Sequence, residues 1–358
     1  MKGAVVSLGS TSSEMVVESM KKYFDEVDMI QLRNIEVRLG KESGIFYEGK
    51  LLEHYDCVYV KGSFRFANLL RSISALLEGK VPYMPLPASS FTTVHNKLLT
   101  HLALEQQNIP MPRTYISSTI EEAKILLKRV HYPIVMKFPE GTQGKGVMFA
   151  DSQSSAASLL DALGALNQPF IIQEYVETNG EDIRAIVVGD KVVASMKRVA
   201  QKGEKRANTH SGGEPKAILL SHESSKIAVK TAKALGADVC VVDILESPRG
   251  PLVIEANISP GLQGIQSVST INIADEIAKF FARKTEEMVH GKKKEKAKEV
   301  MSEISLDGNE SQKIISSLTF RGDRIILPVI ANKIAKFHDD KEFALTLRKG
   351  KIEIEEAN

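Results

Sequence analysis

Asp243 lies in one apolar run, Val239-Cys240-Val241-Val242-Asp243-Ile244, and Glu255 and Asn257 close the next, Val253-Ile254-Glu255-Ala256-Asn257. Residues two apart on a strand share a face, so Glu255 and Asn257 project together, and hairpin pairing of the two runs brings Asp243 beside them. Two carboxylates and an amide oxygen form a hard, all-oxygen donor set of the kind magnesium takes together with phosphate oxygens. Strand-end acids that simply face water have the same spacing, so the pattern alone leaves both readings open. The complementary charge is Lys137, inside Ile134-Val135-Met136-Lys137-Phe138, where an ammonium is costly unless an anion meets it. A glycine-rich stretch follows, Glu140-Gly141-Thr142-Gln143-Gly144-Lys145-Gly146, whose backbone N–H groups can turn toward phosphates. It matches neither the Walker pattern nor the dinucleotide fingerprint. Taken together, lysine, loop and acids point to a nucleoside triphosphate site.

The elements that must position these groups alternate along the chain. Residues 4–8 read as a buried strand, followed by a turn into a helix with Met15, Val16, Met20 and Phe24 on one face; 56–60 is another strand and 67–77 a helix. Pro82, Pro85 and Pro87 close this first unit, residues 1–90, a small α/β domain with a mostly parallel sheet. Residues 91–290 continue with a helix at 96–107, strands at 132–138, 146–150 and 170–176, and a hairpin of 182–188 with 191–199 turning at Gly189-Asp190. A helix at 226–235 and the two acid-bearing strands follow. At Gly291 the texture changes to Gly-Lys-Lys-Lys-Glu-Lys-Ala-Lys, which reads as a basic, polar linker over 291–312 or a solvated helix end. Residues 313–358 read as a small β-rich module. The expected class is α/β (α+β).

Composition narrows the function classes. The chain has 358 residues, 43% hydrophobic and 26% charged, enough to bury sizeable cores. With 47 Lys+Arg against 45 Asp+Glu, the body is not that of a general nucleic-acid binder. Cys57 and Cys240 sit in apolar contexts, which predicts buried, inert thiols in a reducing compartment and no disulfide framework. The first residues are strand-like rather than a signal peptide, and no apolar run approaches the roughly 18 residues of a membrane span. The expectation is a cytoplasmic protein without a membrane partner.

Six ordered segments resemble the ATP-grasp core of the RimK-type α-L-glutamate ligases: Asn96-Lys97-Leu98, the glycine-rich loop 140–146 with Val147, Gln173-Glu174-Tyr175, Asp182-Ile183-Arg184, Val242-Asp243-Ile244-Leu245, and Arg249-Gly250-Pro251-Leu252-Val253-Ile254-Glu255-Ala256-Asn257-Ile258-Ser259-Pro260-Gly261-Leu262. The resemblance implies an ATP-grasp fold over residues 91–290, with central and C-terminal subdomains. It also implies a ligase that activates a carboxylate as an acyl phosphate and joins it to an amine. On it, Lys97 and Lys137 hold the ATP phosphates under a flap that includes Gly144. Glu174, Tyr175 and Val176 meet the adenine edge, Asp182 meets the ribose, and Arg206, Ala207 and Asn208 border the phosphates. Asp243, Glu255 and Asn257 hold two magnesium or manganese ions. Arg198 is the candidate for steadying the acyl phosphate and Arg184 for holding a substrate carboxylate; cross-strand ion pairs are the alternative for both. The implied partners are ATP, an amino acid such as glutamate, and a carboxylate acceptor, either a protein C-terminus such as that of a ribosomal protein or a small coenzyme.

Two positions depart from the family. Ser211 stands where an arginine is common near the acceptor, and Val60-Lys61-Gly62-Ser63 replaces a Pro-Arg-Ile-Gly stretch, with Arg65 close by. The tail, Phe320-Arg321-Gly322-Asp323-Arg324-Ile325-Ile326-Leu327-Pro328 and then 342–354, is similar to the AbrB-type swapped-hairpin fold, which implies a homo-oligomer. It also raises an alternative, a nucleotide-binding regulatory protein acting on DNA through this module.

Overall fold

A computed structural model describes residues 1–140, 146–200, 214–304, 319–321, 324–327, 331, 335 and 341–357. The chain divides into two units, Met1–Val289 and His290–Asn358.

The first unit opens with β1 (Lys2–Ser7), α1 (Thr11–Met20), β2 (Glu26–Gln31), β3 (Ile35–Arg38), β4 (Gly44–Tyr47), β5 (Lys50–Leu51), β6 (Cys57–Val60), α2 (Ala67–Leu77) and α3 (Ala88–Val94). A three-stranded sheet runs β2-β1-β6 with both pairings parallel, Val6 facing Val60 and Ile30 in register. Ala4, Val5 and Val6 are fully buried, as an apolar central strand covered on both faces requires. The small antiparallel sheet β3-β4-β5 is an addition that the sequence pattern did not announce.

Next come α4 (Lys97–Gln106), β7 (Thr114–Tyr115), α5 (Ile120–Leu126), β8 (Ile134–Lys137), β9 (Val147–Ala150), α6 (Gln153–Ala165) and β10 (Ile171–Glu174). The four strands form a sheet in the order β7-β10-β8-β9. Helices α5 and α6 supply its cover, and Leu127, Ile134, Met136, Leu160 and Ile172 make a separate small core. Helix α6 begins where the hydroxyls of Ser152 and Ser155 satisfy each other's backbone N–H groups, a reciprocal cap.

The remainder is β11 (Glu181–Val188), β12 (Lys191–Val199), β13 (Glu214–Ala217), α7 (His222–Ala234), β14 (Val239–Ser247), β15 (Gly250–Asn257), α8 (Gln263–Gln266) and α9 (Ile273–Ile304). A five-stranded antiparallel sheet, β13-β12-β11-β14-β15, shares one continuous core with the N-terminal domain. At the β11–β12 turn Gly189 has φ +64°, and a Cβ there would lie 2.2 Å from the Phe280 ring, so both backbone and space demand glycine. Ile273, Ile277, Phe281 and Thr285 recur every fourth residue of α9 and are buried; Phe281 meets Tyr59 of β6 edge-on at 5.1 Å.

The change of texture at Gly291 is not an element boundary. Helix α9 continues through the basic run to Ile304, because Lys, Glu and Ala are strong helix formers and one interior glycine costs only about 1 kcal/mol. In the second unit β16 (Thr319–Arg321) pairs with β17 (Arg324–Ile326), and β18 (Phe343–Arg348) pairs with β19 (Lys351–Glu356), both antiparallel. Most of residues 305–340, on which the AbrB-type likeness largely rests, lies outside the described residues. Among the described residues, no helix is long and apolar enough to cross a membrane. Cys57 and Cys240 are free and buried, and burial pushes both thiols up to about 12.

Candidate active site

The antiparallel register of β12, β11, β14 and β15 lays a row of charges across one sheet face. Arg198 pairs with Asp182, Arg184 with Asp243, and Asp243 with Glu255. The guanidinium of Arg198 grips Asp182 through Nε and Nη2, both at 2.6 Å. That of Arg184 grips Asp243 at 2.8 and 2.7 Å, and Arg198 Nη2 also lies 3.0 Å from Asp243 Oδ2. Two arginines and two aspartates thus form a closed, neutral quartet, with Arg198 only 3% and Asp243 only 4% exposed. Burial alone would raise the Asp243 carboxyl; the two guanidiniums outweigh it and hold the group down at about 2. Asp182 borders the cavity with both of its oxygens accepting from Arg198.

The opposite wall is built differently. Asn96 caps α4 by accepting from the N–H groups of Leu98 and Leu99, which places Lys97 in the first helical turn, its Nζ 3.9 Å from Glu255 Oε1. Lys137, at the end of β8, donates to Gln173 Oε1 at 2.7 Å, and burial lowers its pKa to about 8. The Gln173 amide nitrogen reaches His101 Nε2 at 3.0 Å and Thr114 Oγ1 at 2.9 Å, while His101 Nδ1 meets the Lys97 carbonyl at 2.5 Å. Burial holds His101 down at about 4, so the ring is neutral near pH 7. The carbonyl can only accept, so Nδ1 carries the proton and Nε2 accepts from Gln173. This fixes the amide with its oxygen toward Lys137. The sequence motifs contain Gln173 without assigning it this part, and the four-residue spacing of Lys97 and His101 on α4 is the signal that could have found the relay.

Glu174 Oε1 accepts from the Arg113 N–H and from Arg249 Nη2, both at 3.0 Å. This pins the end of β10, and Tyr175 and Val176 continue along the wall, with Tyr175 edge-on to Phe149 at 6.0 Å.

All ten predicted site residues that fall within the described residues border one cavity of about 800 Å³: Lys97, Lys137, Glu174, Tyr175, Val176, Asp182, Arg198, Asp243, Glu255 and Asn257. Arg184 and Lys61 border it too. Gly144, Arg206, Ala207, Asn208 and Ser211 lie outside the described residues. Among the described residues no three His, Cys, Asp or Glu side chains cluster as a metal cage. The donor set nevertheless fits magnesium, which is bound through one or two carboxylates and completed by phosphate oxygens and water rather than by an all-protein cage.

Residues 94–281 match the family model of the RimK-like ATP-grasp domain. The chain is 36% identical over 285 residues to a probable alpha-L-glutamate ligase of Cellvibrio japonicus, covering 78% of this chain and 95% of that one. It is 39% identical over 247 residues to the ribosomal protein bS6–L-glutamate ligase of Salmonella schwarzengrund, covering 67% and 81%. Its fold is that of the ATP-grasp ligase PsnB, solved with minimal precursor, magnesium and ADP: TM-score 0.62 at 18% identity, over 80% of this chain and 98% of that one. With its described site residues gathered around one cavity and two relatives matched over 95% and 81% of their length, this chain belongs to the RimK-like ATP-grasp family and is a ligase.

Proposed function

We propose that the chain joins L-glutamate to a carboxylate acceptor, either a protein C-terminus or a small coenzyme, at the expense of ATP. The observation that carries this reading is the convergence, on one cavity, of Lys97 and Lys137 with the arginine–carboxylate face of the five-stranded sheet. The names of the two relatives support glutamate as the amino acid.

An acceptor carboxylate oxygen bonds to the γ-phosphorus of ATP as the bridging bond to ADP breaks, giving an acyl phosphate. The glutamate amine, its proton lost to solvent, then bonds to the acyl carbon, and phosphate leaves with the C–O bonding pair. Lys97 and Lys137 bind the phosphate oxygens and offset the charge that gathers on them, which is positioning and electrostatics rather than nucleophilic catalysis by the protein. Arg198, held in place by Asp182, faces the acyl phosphate, and Glu174, Tyr175 and Val176 receive the adenine. Asp243, Glu255 and Asn257 would hold two magnesium ions, whose contribution when bound is to neutralise phosphate charge. The chain acts as a homo-oligomer through its second unit.

The test is ADP release measured with each amino acid in turn against peptide and coenzyme carboxylate acceptors, followed by the mass of the product. A gain of one or more glutamyl units is expected. A screen in which no amino acid raises ADP release above that with ATP alone overturns the reading.

A further inference from the structure

Lys61, just past the end of β6, is the buried cation to which nothing above gives a role. It is 5% exposed and borders the same cavity. Among the described residues its ammonium meets no carboxylate. Its Nζ has the Pro260 carbonyl at 3.4 Å, a long contact, and lies 5.7 Å from the centre of the Tyr59 ring. A lysine is almost never buried this far without an anion, because desolvation of the ammonium goes uncompensated. Its surroundings match an anion. Lys61 and Ser7 sit at the carboxyl ends of the adjacent parallel strands β6 and β1, Ser7 also bordering the cavity, and this is the edge of an open α/β sheet where ligands bind. The N-terminal turn of α1, with Ser10 and Ser13, opens onto the same space and carries the positive end of the helix dipole. The Gly62 N–H donates to Ser259 Oγ at 3.0 Å, locking this corner to the segment that follows Asn257.

We propose that Lys61 binds a substrate carboxylate, the one not being phosphorylated, and thereby sets which acids the ligase accepts. The proposal rests on the ligase reading above, and deepens it by adding a selectivity group from the N-terminal domain.

The test uses the full chain with ADP and magnesium, titrated calorimetrically with L-glutamate in one arm and with a short peptide ending in glutamate in the other. In Lys61→Met one of the two dissociation constants is expected to rise at least tenfold, while Lys61→Arg stays within threefold of wild type. The arm that moves identifies whether the carboxylate belongs to the incoming amino acid or to the acceptor. The melting temperature of Lys61→Met should equal or exceed that of wild type, whereas a merely structural lysine would lower it. If both constants in Lys61→Met stay within threefold of wild type, the proposal is overturned and the ligase reading stands. If wild type shows no glutamate-dependent ADP release yet one arm still weakens in Lys61→Met, the carboxylate site stands and the ligase reading falls. A wild-type chain that binds neither probe overturns both.

Discussion

The two walls of the cavity solve the problem of buried charge in opposite ways. Among the described residues of the five-stranded sheet, the guanidiniums of Arg184 and Arg198 have carboxylates in cross-strand register, so Arg184, Arg198, Asp182 and Asp243 sum to zero. At the ends of β6 and β8, Lys61, buried, and Lys137, half-buried, rest against a carbonyl and a glutamine oxygen instead. A closed quartet fixes geometry: removing one member strands the others, a loss of about 3–5 kcal/mol. An ammonium held by neutral oxygens is destabilised in the empty protein and regains its missing partner when an anion arrives. The first wall is therefore scaffold as much as chemistry, and the second is where substrate charge is expected to go.

The largest effect should come from the second wall. Lys137→Met removes the ammonium while keeping the bulk, and amino-acid-dependent ADP release should fall at least a thousandfold with no loss of melting temperature. Activity within threefold of wild type would erase the distinction between the walls. The quartet should behave the other way: Asp182→Ala leaves Arg198 without its bidentate partner, and urea unfolding should show a loss of about 3–5 kcal/mol. A loss below about 1 kcal/mol would mean that the sheet face tolerates an open charge and is no scaffold.

Protonation offers a finer measure. Lys137 has its pKa lowered to about 8 from 10.5, so between those values the unfolded chain carries the proton and the empty folded chain does not. Stability of the empty protein should accordingly rise with pH across that window. Phosphates drive the value back up, so nucleotide binding at pH 8.5 to 9 should take up protons and at pH 6.5 should not. Calorimetry in two buffers of different ionisation enthalpy reads this directly. Equal uptake at both pH values would remove Lys137 as its source.

What the sequence disclosed followed local periodicity. Asp243, Glu255 and Asn257 were legible as one face because strand alternation is a two-residue rule, and 67–77 was legible as a helix from its spacing, which matches Ala67–Leu77. Strand β2 was not: Glu-Val-Asp-Met-Ile-Gln is an edge strand in which only Ile30 is buried, too little apolar content to stand out. The relay from Lys97 through His101 and Gln173 to Lys137 joins three elements, and no single window of sequence contains it. Lys61 stood out in the sequence only as part of the stretch that replaces the family's Pro-Arg-Ile-Gly, with no sign that it would be buried. Its burial comes from the tertiary fold, which brings Ser259 and Pro260, almost two hundred residues on, against the end of β6.

The smallest effect on catalysis should lie in the second unit, where the comparison between walls has no bearing. In β18–β19, Leu345 faces Ile354 and Leu347 faces Ile352 across the ladder, and Leu345, Leu347 and Ile352 are all more than half exposed. A two-stranded ribbon is at best marginally stable by itself, and an apolar stripe of this kind is what the proposed oligomer would cover. A second copy of the same ribbon would bury it with matching alternation. Light scattering on the full chain should give a mass above that of one 39.4 kDa chain. Leu347→Lys should return it to a single chain while ADP release stays within twofold. A wild-type mass of one chain would end the oligomer; a large loss of ADP release in Leu347→Lys would show instead that assembly through the tail is required for catalysis.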